Sequence, residues 1–149
     1  MEISKEIKQN KFKNEHQKML INIFFTSSWL SSKHAAGLKQ YGISTQQYNI
    51  LRILRGQHPN PATVNLLIDR MFDKNSNASR LVEKLRLKKL VERAVCQEDR
   101  RAVNVIITQK GLDLLTELDK LEDNFINSLH ILSEQEAEQM NLLLDKLRS

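Results

Sequence analysis

The chain has 149 residues, with 23 Lys and Arg against 18 Asp and Glu and a formal net charge of +5. Four Gly, two Pro and one Cys argue against a turn-rich β-sandwich or barrel, a disulfide framework and a multi-cysteine zinc site. We therefore expect one mainly helical domain with its own core. No run has the length of a membrane helix or the pattern of a signal peptide, so we expect a cytoplasmic protein with no membrane partner.

The charge is unevenly distributed along the chain. Residues 74–101 hold nine Lys and Arg against four Asp and Glu, whereas residues 109–149 hold four against nine. A basic middle followed by an acidic tail is typical of a nucleic-acid-binding core attached to an assembly module. Solvated helix faces that happen to differ in charge would give the same distribution, so charge alone leaves both interpretations open.

The N-terminal part of the chain predicts two helices. The first covers about residues 5–36 and is apolar over much of its surface, and it is broken by Gly37 and by a turn at Tyr41 and Gly42. The second begins where Ser44 and Gln47 have the spacing of a capping box, and it ends near Gly56. It is expected to bury Tyr48, Leu51 and Leu54.

Two shorter helices are predicted next. Thr63 is expected to cap the first of them. After a turn at residues 72–73, the other has residues 74–77 as its first turn. This helix is predicted to be amphipathic because its apolar residues recur at i, i+3, i+4 and i+7. They are Ala78, Leu81, Val82 and Leu85.

The next segment predicts a β-hairpin. Residues 91–96 and 102–108 are the strand-like runs, and the second alternates with a period of two. They are joined by residues 97–101, of which four are charged, and such a hairpin needs helices to pack on. Thr108 is expected to cap a further helix, and Ser133 with Glu136 forms a capping box for the last one.

This order of elements predicts a fold of the mainly α (α+β) class, a winged helix-turn-helix with a two-stranded β-wing and terminal dimerisation helices. A helix fits the major groove of B-DNA, and a narrow basic hairpin can reach the minor groove. Asp99 can pair with Arg101 across the wing tip and support it. The candidate DNA-contacting residues are Thr63, Lys74, Asn75, Ser76, Asn77, Ser79, Arg80, Lys84, Arg100 and Arg101.

Four stretches carry a resemblance to a known family. They are SRLVEKL at residues 79–85, LVER at 90–93, DRRAV at 99–103 and ITQKG at 107–111. In this order they resemble the MarR (multiple antibiotic resistance regulator) family. The resemblance implies a homodimeric, sequence-specific transcriptional regulator, a repressor, that binds double-stranded DNA at a pseudo-palindromic operator.

The same resemblance implies a domain organisation and a set of contacts. Residues 1–149 would form a single MarR-like domain, with a DNA-binding lobe at 41–110 and dimerisation helices at 1–40 and 111–149. The contacts of the recognition helix would fall on Asn75 to Arg80, and Arg101 would be the minor-groove arginine. The chain departs from the family at two positions. Many relatives have glycine in place of Lys89, so that this residue must either cap the helix less favourably or continue it. Relatives often have arginine in place of Asn75, so their base preference does not transfer.

The resemblance further implies release by a small phenolic or lipophilic effector. The candidate pocket residues are Phe25, Trp29, His34 and Tyr48, although an aromatic residue on a helix more often belongs to the core. Redox sensing through Cys96, next to the wing, is an alternative. A winged-helix protein-interaction adaptor that does not bind DNA is another.

An enzyme is the competing class of protein. The four histidines, His16, His34, His58 and His130, are scattered and do not have the spacing of metal ligands. The chain also lacks a phosphate-binding glycine loop, a nucleophile elbow and a Cys-His signature. We therefore predict no catalytic residues, no metal site and no cofactor.

Overall fold

The computed structural model describes residues 2–95 and 103–149. The chain forms two units, Met1–Thr45 and Gln46–Ser149. The helices are α1 (Ile3–Glu6), α2 (Glu15–Lys39), α3 (Thr45–Gln57), α4 (Val64–Arg70), α5 (Ala78–Leu87), α6 (Gln109–Asn127) and α7 (Glu134–Arg148). The strands are β1 (Ala62–Thr63), β2 (Val91–Val95) and β3 (Val103–Ile107). Three helices followed by a hairpin and further helices confirm the predicted winged helix-turn-helix class.

The prediction of one helix over residues 5–36 is wrong at both ends. The chain leaves the helix after α1, and Lys8 adopts a left-handed φ of 54°. The long helix begins only after Asn14, whose side chain accepts a hydrogen bond from the backbone N–H of Gln17. At the other end α2 continues through Gly37, because a glycine weakens a helix without having to end it. The turn predicted at Tyr41 and Gly42 is confirmed, and Gly42 has a left-handed φ of 67°.

The core of the second unit is formed by one face of each of several elements. The buried face predicted for α3 is confirmed at Tyr48, Leu51 and Leu54. That of α5 is confirmed at Ala78, Val82 and Leu85, while Leu81 is half-buried. The buried residues of this unit include Tyr48, Ile50, Leu51, Leu54, Leu67, Ala78, Val82, Leu85, Val91, Val105, Ile107, Leu115 and Leu118. α5 therefore has one side fixed in the core, which leaves its opposite side for another role.

The predicted hairpin is confirmed, and the sheet has one more strand than the sequence indicates. β2 pairs antiparallel with β3, and Val91 lies opposite Ile107. β1 adds to the other edge of β3, where Ala62 lies opposite Val105, giving the order β1-β3-β2. A two-residue strand is too short to show an alternating pattern. The third strand matters because a two-stranded hairpin is marginally stable alone.

The C-terminal helices begin at the predicted caps. Thr108 accepts a hydrogen bond from the backbone N–H of Gly111 at the start of α6. Ser133 and Glu136 form the predicted capping box of α7. α7 has no buried residue and exposes a row of apolar side chains. None of the helices in the described ranges has both the length and the hydropathy needed to cross a membrane.

Candidate nucleic-acid interface

α5 has a buried side and an exposed polar side. Its N-cap is Asn77, whose Oδ1 accepts a hydrogen bond of 3.0 Å from the backbone N–H of Arg80. Val82 and Leu85 are buried, whereas Arg80 and Lys84 are exposed. The core thus fixes which side of α5 meets solvent. That side has the hydrogen-bonding groups and positive charge that DNA recognition requires.

The prediction that residues 74–77 form the first turn of this helix is wrong, because they form a separate turn before it. Asp73 organises that turn. Its carboxylate accepts 3.0 Å hydrogen bonds from the backbone N–H of Asn75 and from the hydroxyl of Ser76. Short polar side chains favour such turns and caps over helix interiors. Ser76 and Asn77 therefore have local structural roles.

The other candidate residues of this region keep their side chains available. Within the ranges that the structure describes, no side-chain hydrogen bond or ion pair occupies Lys74, Asn75, Ser79, Arg80 or Lys84, and all five residues are exposed. The structure therefore places seven of the predicted DNA-contacting residues on α5 and the turn before it, and in these five the side chain is unoccupied. Each of them is free to meet a ligand in solution.

Thr63 has a structural role as the N-cap of α4. Its Oγ1 accepts a 3.1 Å hydrogen bond from the backbone N–H of Leu66, as the sequence predicts. The residue is half-buried and also belongs to β1. Its hydroxyl proton is not used by this cap, and a contact between Thr63 and DNA stays a prediction.

Glu83 connects α5 to the first strand of the wing. It accepts hydrogen bonds from Nε and Nη2 of Arg86, the shortest of 2.7 Å, and one of 3.1 Å from Nη2 of Arg93 on β2. The hydrogen bonds from Arg86, with the positive charges of Arg86 and Arg93, lower the pKa of the Glu83 carboxyl. The i,i+3 spacing of Glu83 and Arg86 is visible in the sequence. The partner on β2 is not, because it depends on how the hairpin packs.

α5 ends at the residue where the sequence leaves two alternatives open. Lys89 adopts a left-handed φ of 61°. Its backbone N–H donates to the carbonyl of Arg86 at 2.9 Å, and that of Leu90 donates to the carbonyl of Leu85 at 3.1 Å. These two bonds define a Schellman motif, which usually has glycine at the left-handed position. Lys89 therefore caps the helix and does not continue it.

The Thr-x-x-Gly stretch after the wing joins three elements. The hydroxyl of Thr108 donates to the carbonyl of Lys89 at 2.8 Å while its oxygen caps α6. The backbone N–H of Thr108 donates to the carbonyl of Leu90 at 3.1 Å. This stretch thus holds the end of the wing and the start of α6 against the C-terminal end of α5.

α3 and α6 are joined by polar contacts. Arg55 donates two hydrogen bonds, of 2.8 and 2.9 Å, to the carboxylate of Asp119, and this pairing raises the pKa of Arg55. The hydroxyl of Tyr48 lies 3.4 Å from Oε2 of Glu122. Burial, followed by the negative charge of Glu122, raises the pKa of Tyr48. α6 is therefore held against α3 by polar contacts as well as by apolar packing.

The predicted effector-pocket residues fall in both units. Phe25, Trp29 and His34 lie on α2 in the first unit, where the ammonium of Lys33 lies 4.2 Å from the ring centroid of Trp29. Tyr48 is buried on α3 in the second unit. The pocket stays a prediction.

The predicted wing-tip residues, Asp99, Arg100 and Arg101, lie outside the described residues, as does Cys96. Their roles stay predictions. In residues 2–95 and 103–149, no three His, Cys, Asp or Glu side chains form a group suited to a metal ion.

Comparisons with known proteins agree with this geometry. A model of the MarR family matches residues 41–102. The chain is 26% identical over 129 residues to the HTH-type transcriptional regulator SarZ of Staphylococcus epidermidis, a match that covers 86% of this chain and 84% of SarZ.

Solved structures of regulators have the same fold. A MarR-like transcription regulator from Bacillus cereus matches with a TM-score of 0.80 and 20% identity, over 90% of this chain and 96% of that chain. A complex of S. aureus MepR with DNA matches with a TM-score of 0.76 and 26% identity, over 92% of this chain and 97% of MepR. The segment that the family model matches contains α4, α5 and β2, which carry the described part of the site. The relatives are transcriptional regulators and not enzymes. Residues 41–102 of the chain therefore match the MarR family, and the chain has the winged helix-turn-helix fold of the solved MarR-type regulators.

Proposed function

We propose that the chain binds double-stranded DNA as a homodimer at a pseudo-palindromic operator and represses transcription there. α5 lies in the major groove, and the wing arginine Arg101 lies in the adjacent minor groove. The observation that carries the proposal is the exposed side of α5. It presents Ser79, Arg80 and Lys84 to solvent, opposite a buried stripe that fixes the orientation of the helix.

The positions of these side chains fit the division of labour at DNA interfaces. Arg80 lies in the first turn of α5, the part of a recognition helix that contacts base edges. Its guanidinium can donate two hydrogen bonds to O6 and N7 of a guanine. Lys84 lies one turn further along and suits a phosphate contact, which positions the protein without selecting a sequence. MepR, a relative of this chain, was crystallised in complex with DNA.

The exposed face of α7 supports the homodimer. Met140, Leu143 and Leu147 recur at i, i+3 and i+7, and each is at least half exposed in the single chain. A 15-residue helix with no buried face is marginal in water, because most helical stability in proteins comes from packing. A second copy of the same helix would bury this row of apolar side chains.

A small phenolic or lipophilic molecule would act as the effector and release the DNA. Phe25, Trp29, His34 and Tyr48 are the candidate residues for the pocket, and the support for this part of the proposal is the family resemblance. The prediction is tested by adding such molecules to the complex with DNA and measuring the fraction of DNA released.

The main test is selection of bound fragments from the organism's own DNA, followed by fluorescence anisotropy titrations over a range of salt concentrations. We expect an inverted repeat, and an affinity that falls as salt rises because phosphate contacts release counterions. Arg101→Ala should weaken operator binding far more than Lys5→Ala. Equal effects would contradict the wing assignment. Absence of affinity for any duplex at low salt would contradict the proposal and favour a protein-interaction adaptor.

A further inference from the structure

The exposed side of α5 contains one carboxylate among several cations. Glu83 lies between Arg80 and Lys84 on that helix, and 38% of its side chain is exposed. Phosphate repels a carboxylate, so a free glutamate on a surface that meets DNA lowers affinity unless it accepts a hydrogen bond from a cytosine amino group. The partners of Glu83 decide which of these situations applies.

Both carboxylate oxygens of Glu83 are occupied by arginine. Oε1 accepts from Nη2 of Arg86 at 2.7 Å, and Oε2 accepts from Nη2 of Arg93 at 3.1 Å. The single Nε–H of Arg86 is shared between Oε1 at 3.2 Å and Oε2 at 3.0 Å. Three N–H donors from two arginines therefore engage both oxygens of the carboxylate. Its negative charge is offset by two guanidinium groups.

The same contacts restrain the two arginines. The side chains of Arg86 and Arg93 are 44% and 57% exposed, so both would be available to phosphate if Glu83 did not hold them. An arginine that binds phosphate adds affinity for every DNA sequence equally, because phosphate carries no sequence information. Holding two arginines on the protein therefore limits the part of the binding energy that is independent of sequence.

We propose that Glu83 is a positioning residue for specificity, which holds Arg86 and Arg93 on the protein and thereby keeps them from adding sequence-independent phosphate contacts. The inference rests on the proposed function, in which α5 meets DNA. Glu83 itself makes no contact with a base. Exposed ion pairs contribute little to stability, so the role of the cluster lies in binding and not in folding.

The test is Glu83→Gln, titrated against the selected operator and against an unrelated duplex at salt concentrations from about 50 to about 200 mM. We expect affinity for the unrelated duplex to rise about 3- to 10-fold at the lowest salt, since each new phosphate contact adds about 0.9 to the salt slope. Affinity for the operator should rise less, so the ratio of specific to non-specific affinity falls. The melting temperature should stay near that of the wild type.

A matched control is Glu92→Gln. Glu92 is an exposed glutamate on β2 that borders the same surface depression as Arg86 and Arg93, and the substitution changes the net charge by the same amount. In the described part of the chain, the Glu92 side chain has no hydrogen bond to either arginine. We expect the ratio of affinities to be close to that of the wild type. Equal changes in Glu83→Gln and Glu92→Gln would overturn the proposal, because net charge alone would then explain the effect.

A triple variant, Glu83→Gln with Arg86→Ala and Arg93→Ala, separates release of the arginines from other effects of the substitution. The salt slope on the unrelated duplex should return to the wild-type value or below it. A slope that stays as steep as in Glu83→Gln would overturn the proposal. The wild-type titration tests the proposed function separately. If the wild type binds neither duplex, both proposals fail. If the wild type binds the operator and Glu83→Gln leaves the ratio of specific to non-specific affinity unchanged, only this inference fails.

Discussion

Gly111 in α6 packs so closely against the carbonyl oxygen of Leu90 that no side chain fits between them. A Cβ atom at Gly111 would overlap that oxygen and would also lie 2.7 Å from Cγ1 of Ile107. The same segment holds the hydrogen bond from the Thr108 hydroxyl to the carbonyl of Lys89. The glycine of the Thr-x-x-Gly stretch is therefore needed where the end of α5, the last strand of the wing and the start of α6 meet.

We predict that Gly111→Ala destabilises the protein by about 2 kcal/mol. Overpacking typically costs about 1–3 kcal/mol, and alanine's better helix propensity recovers only part of this. The matched control is Gly56→Ala, where a Cβ meets no atom within 4 Å. It should stabilise the protein by up to about 1 kcal/mol. Urea unfolding followed by circular dichroism measures both, and a neutral Gly111→Ala would contradict the close packing.

Much of the fold follows from local patterns in the sequence. The buried stripe of α5 has helical spacing, and Thr63, Thr108 and Ser133 cap helices because short hydroxyl side chains at those positions can accept from the first turn. Caps and amphipathic stripes involve residues a few positions apart. Such features need no knowledge of the tertiary packing.

The features that the sequence does not reveal depend on contacts between distant segments. β1 has two residues and exists because β3 lies beside it. The bond from Arg93 to Glu83 spans ten positions, from a strand to a helix. The turn before α5 resembles the start of a helix in sequence, because Asp73 offers the same polar chemistry as a helix cap. The strand and the hydrogen bond each depend on a partner distant in the sequence. The turn depends on a choice between a helix and a turn that the local residues leave open.

Lys89 is expected to be a weak point of α5. A non-glycine residue pays roughly 1–2 kcal/mol in the left-handed region that this Schellman motif requires. Lys89→Gly should therefore stabilise the protein by about 1 kcal/mol after the greater flexibility of glycine in the unfolded chain is included. Lys84→Gly, in the interior of the same helix, should destabilise it by about 1 kcal/mol. If both variants lose stability in urea unfolding, the left-handed cap is contradicted.

Asn77 allows a structural role to be separated from a DNA contact. Its side chain caps α5 by accepting from the backbone N–H of Arg80. Asn77→Ala should cost about 1 kcal/mol of stability, whereas Asn77→Asp should retain the cap. If Asn77 also contacts DNA as the sequence predicts, Asn77→Asp should weaken operator binding at unchanged stability, because it adds a negative charge near phosphate. Unchanged affinity in Asn77→Asp would assign the residue to capping alone.

Arg80 and Lys84 should have different effects on DNA binding, although both are exposed cations of α5. Arg80→Ala should weaken operator binding by about 1–3 kcal/mol and relax the preference for a base at one position. Lys84→Ala should weaken binding to all sequences and reduce the salt slope by about 1.

Anisotropy titrations with operator variants separate these two behaviours, and Lys120→Ala on α6 is the control, since this exposed lysine lies outside α5. If Arg80→Ala loses the same affinity for every DNA sequence and changes the salt slope as Lys84→Ala does, Arg80 contacts phosphate and not a base.

The dimer is tested most directly at Leu143, which is 60% exposed on α7 and lies in the apolar row with Met140 and Leu147. Leu143→Glu should weaken dimerisation at least about 100-fold, because a buried unpaired carboxylate costs several kcal/mol. Asn141→Glu adds the same charge to the opposite side of α7 and should leave the dimer intact.

Sedimentation velocity at micromolar protein concentration distinguishes the monomer from the dimer. A wild type that is monomeric there would contradict the dimer itself, and a Leu143→Glu variant that remains dimeric would move the interface away from this face. Since an inverted repeat needs two recognition helices held together, Leu143→Glu should also lose most of its operator affinity while keeping the weaker binding of a single lobe.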